Sequence, residues 1–120
     1  MTKSDSGATQ SIWMRTAEVP QYEPLRADTD ADVCVVGAGI AGITTAYLLV
    51  KAGRKVVVLD DGPVAGGETG RTTAHLSWAL DDFYARIERM HGAEGARVAA
   101  ASHRASVDLI EQIVRDEATD

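Results

Sequence analysis

Residues 37–42 read Gly-Ala-Gly-Ile-Ala-Gly, and their flanking sequence leaves few folds open to the chain. Ahead of them, within 32–36, stands Val33-Cys34-Val35-Val36, a short apolar run that reads as a buried parallel strand. Behind them, Ile43, Ala46, Leu49 and Val50 recur at three- and four-residue spacing and predict a helix over 40–52 with those side chains on one face. Gly53 follows the last periodic residue and reads as the helix C-cap. A second strand is predicted over 55–59, where Val56, Val57, Val58 and Leu59 are apolar on both faces, as a central parallel strand covered by helices must be. Each glycine has its own use. Gly37 turns the chain sharply out of the strand, Gly39 admits a pyrophosphate to the backbone, and Gly42 lets the helix pack close to the strand. Ile40 and Ala41 open the helix, so its unpaired N–H groups and positive dipole end face the phosphates. The order predicts an α/β fold built on a Rossmann-type βαβ unit, with a right-handed crossover, that binds a dinucleotide.

Asp60 ends the second strand, 18 residues after Gly42, where a carboxylate can accept hydrogen bonds from adenosine ribose hydroxyls. Asp60 and Asp61 would repel a 2′-phosphate, and no arginine directly follows the strand to receive one, which argues against NADP. FAD and NAD both satisfy the pattern to this point. The following segment, predicted as a loop over 61–73, holds Gly62, Pro63, Gly66, Gly67 and Gly70. A nicotinamide-binding unit usually passes straight to its next helix. Here backbone donors around Gly67 and Thr69, with the hydroxyls of Thr72 and Thr73, can line phosphates and a flavin edge, and Arg71 can pair with pyrophosphate. That favours FAD.

The 120 residues allow one small domain, and an apolar content of 45% is that of a globular chain. A net charge of −6 argues against a nucleic-acid partner, which needs clustered Lys and Arg. Cys34 is the only cysteine, which excludes an internal disulfide and any multi-cysteine metal site; inside a strand it reads as a small buried hydrophobe. No stretch approaches a membrane span and residues 1–10 lack a signal-peptide core, so a cytoplasmic location is the default expectation. Residues 1–31 read as an N-terminal arm in which Pro20 and Pro24 forbid a continuous helix; either Trp13 and Tyr22 dock on a larger body or the segment is a loose linker. Toward the end, Ser77 is predicted to cap a helix reaching Met90, with Asp81 and Asp82 in its first turn and Phe83, Ile87 and Met90 on one face. Gly92 breaks it. A second helix follows from Ala93, its buried side marked by Val98, Ala101, Ala105, Leu109, Ile110, Ile113 and Val114. His91 and His103 read as surface residues of these helices.

Three segments together resemble a known family: residues 35–42 around the glycines, Val58-Leu59-Asp60, and Gly67-Glu68-Thr69-Gly70-Arg71-Thr72-Thr73-Ala74. They look like the N-terminus of FAD-dependent oxidoreductases of the D-amino-acid oxidase class, which includes glycine and sarcosine oxidases. Ser11-Ile12-Trp13 is similar to the bacterial branch that carries a C-terminal Rieske iron–sulfur domain, and the resemblance runs over about residues 11–117. It implies FAD as cofactor, with the adenosine near Asp60 and the flavin near Thr72 and Thr73. It further implies a small amine or amino acid as substrate, oxidised by hydride transfer to the flavin. Some relatives tether flavin through a histidine, but that anchor aligns with Ala74, not His75. Family members are several times longer, their substrate domain lies further along, and the Rieske ligands are absent here. The expectation is therefore an incomplete flavin-binding domain over 32–120, a βαβ unit followed by two helices, with no catalytic residue assigned. An NAD-binding module and a non-catalytic truncated remnant are the alternatives.

Overall fold

The computed structural model describes residues 11–80 and 83–119, which fall into two compact units, one ending at Thr73 and the other beginning at Ala74. The first unit contains a short helix α1 (Ile12–Thr16), strand β1 (Val33–Val36), helix α2 (Ile40–Lys51), strand β2 (Val56–Leu59) and a 3₁₀ turn (Glu68–Arg71). The second contains one long helical run, α3 (Phe83–Asp116).

β1 and β2 pair in parallel, with Val33 opposite Val56, Cys34 opposite Val57, Val35 opposite Val58 and Val36 opposite Leu59. The pair is extended at its start by hydrogen bonds from Asp32 N and Val33 N to Lys55 O (2.8 and 3.2 Å). Asp32 adds a side-chain tie, its Oδ2 accepting from Lys55 N at 2.8 Å. At the other end Gly37 N donates to Leu59 O at 2.7 Å, and Gly37 then turns the chain at φ 101, a region that an L side chain strains to enter.

α2 lies against one face of the sheet. The approach is close at Gly42: a Cβ there would stand 1.8 Å from Gly37 O and 3.4 Å from a Val35 methyl. The inward line of α2 is Gly42, Ala46 and Leu49, with Ala46 buried, whereas Ile43 and Val50 are exposed, at 41% and 57%. The buried face expected from apolar spacing is thus rotated, because the smallest residues face the strands and set the contact distance. Among the described residues of this unit no helix covers the opposite face of the sheet. Val36 is 85% exposed, and Cys34 is exposed, contrary to the buried position expected of it. Two covered faces were expected; α2 supplies only one.

Before β1, the predicted extended arm contains one helical turn and a half, α1, capped by Ser11, whose Oγ accepts from Met14 N at 3.2 Å. The chain then runs without helix or strand through Pro20 and Pro24. Trp13 and Tyr22 do not dock; they are 48% and 77% exposed. The arm touches the unit instead through Ser11, whose hydroxyl donates to Gly70 O, and through Met14, which packs on Gly70.

In the second unit Gly92 breaks the helix, as its position in the sequence predicts. Its φ of 74 and ψ of 171 split α3 into two helical arms at a kink. Ser77 Oγ accepts from Ala79 N at 3.0 Å, and among the described residues α3 runs from Phe83. Asp81 and Asp82 lie outside the described residues. Phe83 and Met90 are exposed, while Tyr84 and Ile87 are half-buried. Tyr84 fixes the inner side: its hydroxyl donates to Trp78 O at 2.6 Å and lies 3.2 Å from His103 Nδ1. His103 is accordingly half-buried, together with Ala99, Ala100, Val107, Leu109, Ile110 and Ile113, while Val98, Ala101, Ala105 and Val114 are exposed. The Arg104 guanidinium carbon lies over the Trp78 ring, 5.2 Å from its centroid. Among the described residues no helix is long and apolar enough to cross a membrane.

The Gly42 contact gives a direct test. Gly42→Ala forces a methyl into the Gly37 carbonyl, an overlap that α2 can relieve only by lifting off the sheet. The expected loss is about 3 kcal/mol or more, read as a lower urea midpoint by far-UV circular dichroism. An unchanged midpoint would show that α2 does not sit against Gly37.

Candidate cofactor-binding site

The turn between β1 and α2 is fixed from two directions. The first intrahelical bond of α2 runs from Ile43 N to Gly39 O at 2.9 Å, so the N–H groups of Ile40, Ala41 and Gly42 precede the helical ladder. These are the donors with which a helix N-terminus receives an anion. Gly39 is the N-cap and brings no side-chain cap of its own. Ile40 N donates instead to Thr69 Oγ1 at 3.0 Å, a residue 29 positions away on the 3₁₀ turn. A Cβ at Gly39 would lie 3.0 Å from that same hydroxyl.

From the other direction comes Asp60. One carboxylate oxygen accepts from Ala38 N at 2.6 Å and the other from Gly62 N at 2.8 Å. The Ala38 N–H, then the Gly62 N–H, hold the carboxyl below the usual carboxylate range, with smaller help from Asp61 and a slight opposing desolvation. Each oxygen retains a further lone pair, so Asp60 can still accept from ribose hydroxyls. The β2 end and the glycine turn are thereby one hydrogen-bonded body.

The loop after Asp60 folds back over that body. Ala65 N donates to Ala38 O at 3.0 Å, with Ala65 held at φ 55, a left-handed conformation costing an alanine about 1 kcal/mol. Gly66 N closes a turn onto Pro63 O at 2.9 Å. Gly70 is buried, and a Cβ there would stand 2.7 Å from Ala65 O and 3.0 Å from Met14 Cγ. Arg71, expected to reach pyrophosphate, turns into its own loop: one guanidinium nitrogen donates to Gly66 O (3.3 Å) and Gly67 O (3.2 Å), and its Nε is buried without a partner. Thr72 Oγ1 donates to Thr69 O at 3.4 Å, and Thr72, Thr73 and His75 are exposed.

The structure thus gathers Gly37, Gly39, Ile40, Ala41, Gly42, Asp60 and Thr69 around one turn, with Gly67 and Arg71 in the loop over it. Sequence reasoning missed the Thr69–Ile40 cap, the Ala65–Ala38 bond and the Ser11–Met14 contact. Thr is a common helix cap, but a cap supplied from 29 residues away leaves no local pattern. His103 likewise shows its role only through Tyr84, on the other helical arm.

Comparison with known proteins finds relatives among flavin-dependent and iron-sulfur proteins. Over 113 residues the chain is 34% identical to the Bacillus subtilis protein YhfW, whose name assigns it provisionally to the Rieske 2Fe-2S iron-sulfur proteins; the match covers 94% of this chain and 22% of YhfW. It is 54% identical over 71 residues to a D-amino acid dehydrogenase of Dechloromonas aromatica, covering 53% of this chain and 17% of that protein. It is 34% identical over 77 residues to the γ-glutamylputrescine oxidoreductase of Escherichia coli, covering 64% and 18%. The chain therefore spans at most about a fifth of the length of these relatives. No solved structure gives a significant match.

Asp60 predicts a pH dependence with a definite sign. A carboxyl whose folded-state pKa is depressed adds stability above its unfolded pKa, and that stability is lost as pH falls through the folded value. Wild-type chain is expected to lose urea resistance below the ordinary carboxylate range more steeply than Asp60→Asn. Parallel profiles for the two from pH 7 (about neutral) down to about 3 would remove Asp60 from the loop's support. The family profile described as FAD dependent oxidoreductase matches residues 32–120, and the chain belongs to that family.

Proposed function

We propose that residues 32–73 form the Rossmann-type adenine-dinucleotide half of an FAD site, and that the whole protein oxidises an amine or amino acid. The observation that carries this reading is the joining of two ligand-binding features in one body. The free N–H groups at the start of α2 suit a pyrophosphate, and Asp60, bonded to Ala38 N at 2.6 Å, suits the neighbouring ribose. The available space supports it as well: Gly39 presents no side chain, and the hydroxyl nearest to it, Thr69 Oγ1, can donate to a phosphate oxygen while accepting from Ile40 N.

When bound, FAD supplies the hydride-accepting ring. This chain's own residues bind and orient it. Gly37, Gly39, Ile40, Ala41 and Gly42 would meet the pyrophosphate, Asp60 the ribose, and Gly67, Thr69, Arg71, Thr72 and Thr73 the phosphate-to-flavin side. The substrate class is taken from relatives named as a D-amino acid dehydrogenase and a γ-glutamylputrescine oxidoreductase. Asp60 and Asp61 disfavour a 2′-phosphate. The loop over the turn, docked through Ala65 N on Ala38 O, favours FAD over NAD, because it gives the site a second wall.

The test is titration of the chain with FAD, followed by flavin fluorescence. Wild type should quench it saturably, and Gly39→Val should abolish the quenching, because a branched side chain takes the phosphate position and collides with Thr69. Asp60→Ala should weaken binding by about 1–3 kcal/mol through lost ribose hydrogen bonds. Saturable NADH binding without FAD binding would overturn the FAD reading, and full retention of FAD by Gly39→Val would overturn the phosphate position.

A further inference from the structure

We infer that Ser11 and Met14, which lie ahead of the family match at residues 32–120, are positioning residues for the cofactor site and act on it through the 3₁₀ turn. The inference rests on the FAD reading above and concerns how that site is held in shape.

The path is short and continuous. Ser11 Oγ caps α1 by accepting from Met14 N at 3.2 Å, and the same hydroxyl donates to Gly70 O. One hydroxyl therefore fixes both the start of α1 and its seat on the turn. Met14 fills the remaining side. A Cβ built on Gly70 would meet Met14 Cγ at 3.0 Å and Sδ at 3.2 Å, so the thioether lies directly on the Gly70 backbone. On its other flank Gly70 is confined by Ala65 O, 2.7 Å from the same Cβ position. Gly70 is buried between these two surfaces and cannot shift toward either.

Its neighbour Thr69 reaches α2. Thr69 Oγ1 takes the N–H of Ile40 at 3.0 Å and stands 3.0 Å from the Cβ position of Gly39. The Thr69 hydroxyl thus sits at the donors a pyrophosphate would use. Its direction is set by the turn, and the turn is held against the arm. Ile12 is 65% and Trp13 48% exposed, against 37% for Met14, and the arm contacts to Gly70 are those of Ser11 and Met14. No arm residue need touch the cofactor for the arm to set its affinity. Releasing Met14 lets Gly70 move toward the vacated side, and Thr69 Oγ1 moves with it.

The experiment is FAD titration of the full chain and its variants by flavin fluorescence, with far-UV circular dichroism fixing the folded fraction of each sample. Met14→Ala should weaken FAD binding about tenfold, Ser11→Ala should weaken it several-fold, and Met14→Leu should restore binding to within about threefold of wild type. In a Thr69→Ala background Met14→Ala should have no further effect, because the residue through which the arm acts is gone. A purely structural role for Met14 would instead lower folding equally in both backgrounds and leave the affinity of the folded fraction unchanged. Should Met14→Ala not fold, the Ser11→Ala and Ser11→Ala/Thr69→Ala pair provides the same comparison with the apolar packing intact. Wild-type binding that Met14→Ala and Ser11→Ala both match would overturn the positioning role and leave the FAD site standing, as would effects additive with Thr69→Ala. Wild-type chain that binds no FAD overturns the site and the positioning role together.

Discussion

The close approach of α2 to the Gly37 carbonyl is the constraint on which the rest of the first unit depends. With any side chain at position 42 the helix would have to stand off, since the Cβ would fall 1.8 Å from that oxygen. At the observed distance, the start of α2 sits directly behind the ends of both strands. Ala38 is then within reach of Asp60 from β2, and Ile40 within reach of Thr69 from the loop. Lifting the helix breaks all of these at once. Helix packing, turn geometry and loop closure are therefore one cooperative arrangement.

Hydrogen bonds of long sequence separation supplement a small core in this unit. Among the described residues only Ala38 and Ala46 are buried apolar side chains, and both are small. The two-stranded sheet leaves Val36 85% exposed on the face without a helix. Against that stand directional contacts of long sequence separation: Asp60 to Ala38, Thr69 to Ile40, Ala65 to Ala38 and Ser11 to Gly70. The three that do not involve Asp60 each stabilise by about 0.5–1.5 kcal/mol net. They also fix geometry that a pair of alanines cannot. The turn is held in shape by polar contacts made where an anionic ligand would need shape most.

What the sequence reveals and what it conceals divide along the same line. β1, α2 and β2 are legible because their signals are local: runs of Val, an apolar period of three and four, and glycines at the exits. The break at Gly92 is legible for the same reason. Concealed are the features decided by a distant partner. Apolar spacing names Ile43 and Val50 as inward, but the contact is made where side chains are smallest, at Gly42 and Ala46. Trp13 and Tyr22 look like anchors by size, yet Met14 anchors the arm because the site it meets, Gly70, is a narrow seat between backbone atoms. Cys34 looks buried because its strand does, and is exposed because only one face of that strand is covered. His103 looks like a surface residue until Tyr84, 19 positions away, is brought to its ring.

Arg71 shows how the loop can serve the FAD reading without the direct contact its sequence position suggests. Its guanidinium spans Gly66 O and Gly67 O, two neutral acceptors, and no carboxylate pairs with it among the described residues. Its charge is therefore not cancelled locally, while its donors are spent on shaping the loop. On the proposed reading a charge so placed would act through its field, adding to the positive dipole end of α2 toward a pyrophosphate. Asp60 and Asp61 carry the opposite sign at the end of β2, where on the proposed reading an adenosine ribose would donate hydroxyls. On that reading the two signs would follow the order in which a dinucleotide presents its own groups, acceptor-rich pyrophosphate first and donor-bearing ribose next. On that account Arg71→Gln costs affinity chiefly by removing a field, and added salt, which screens a field but not a bidentate bond, erases most of the difference from wild type.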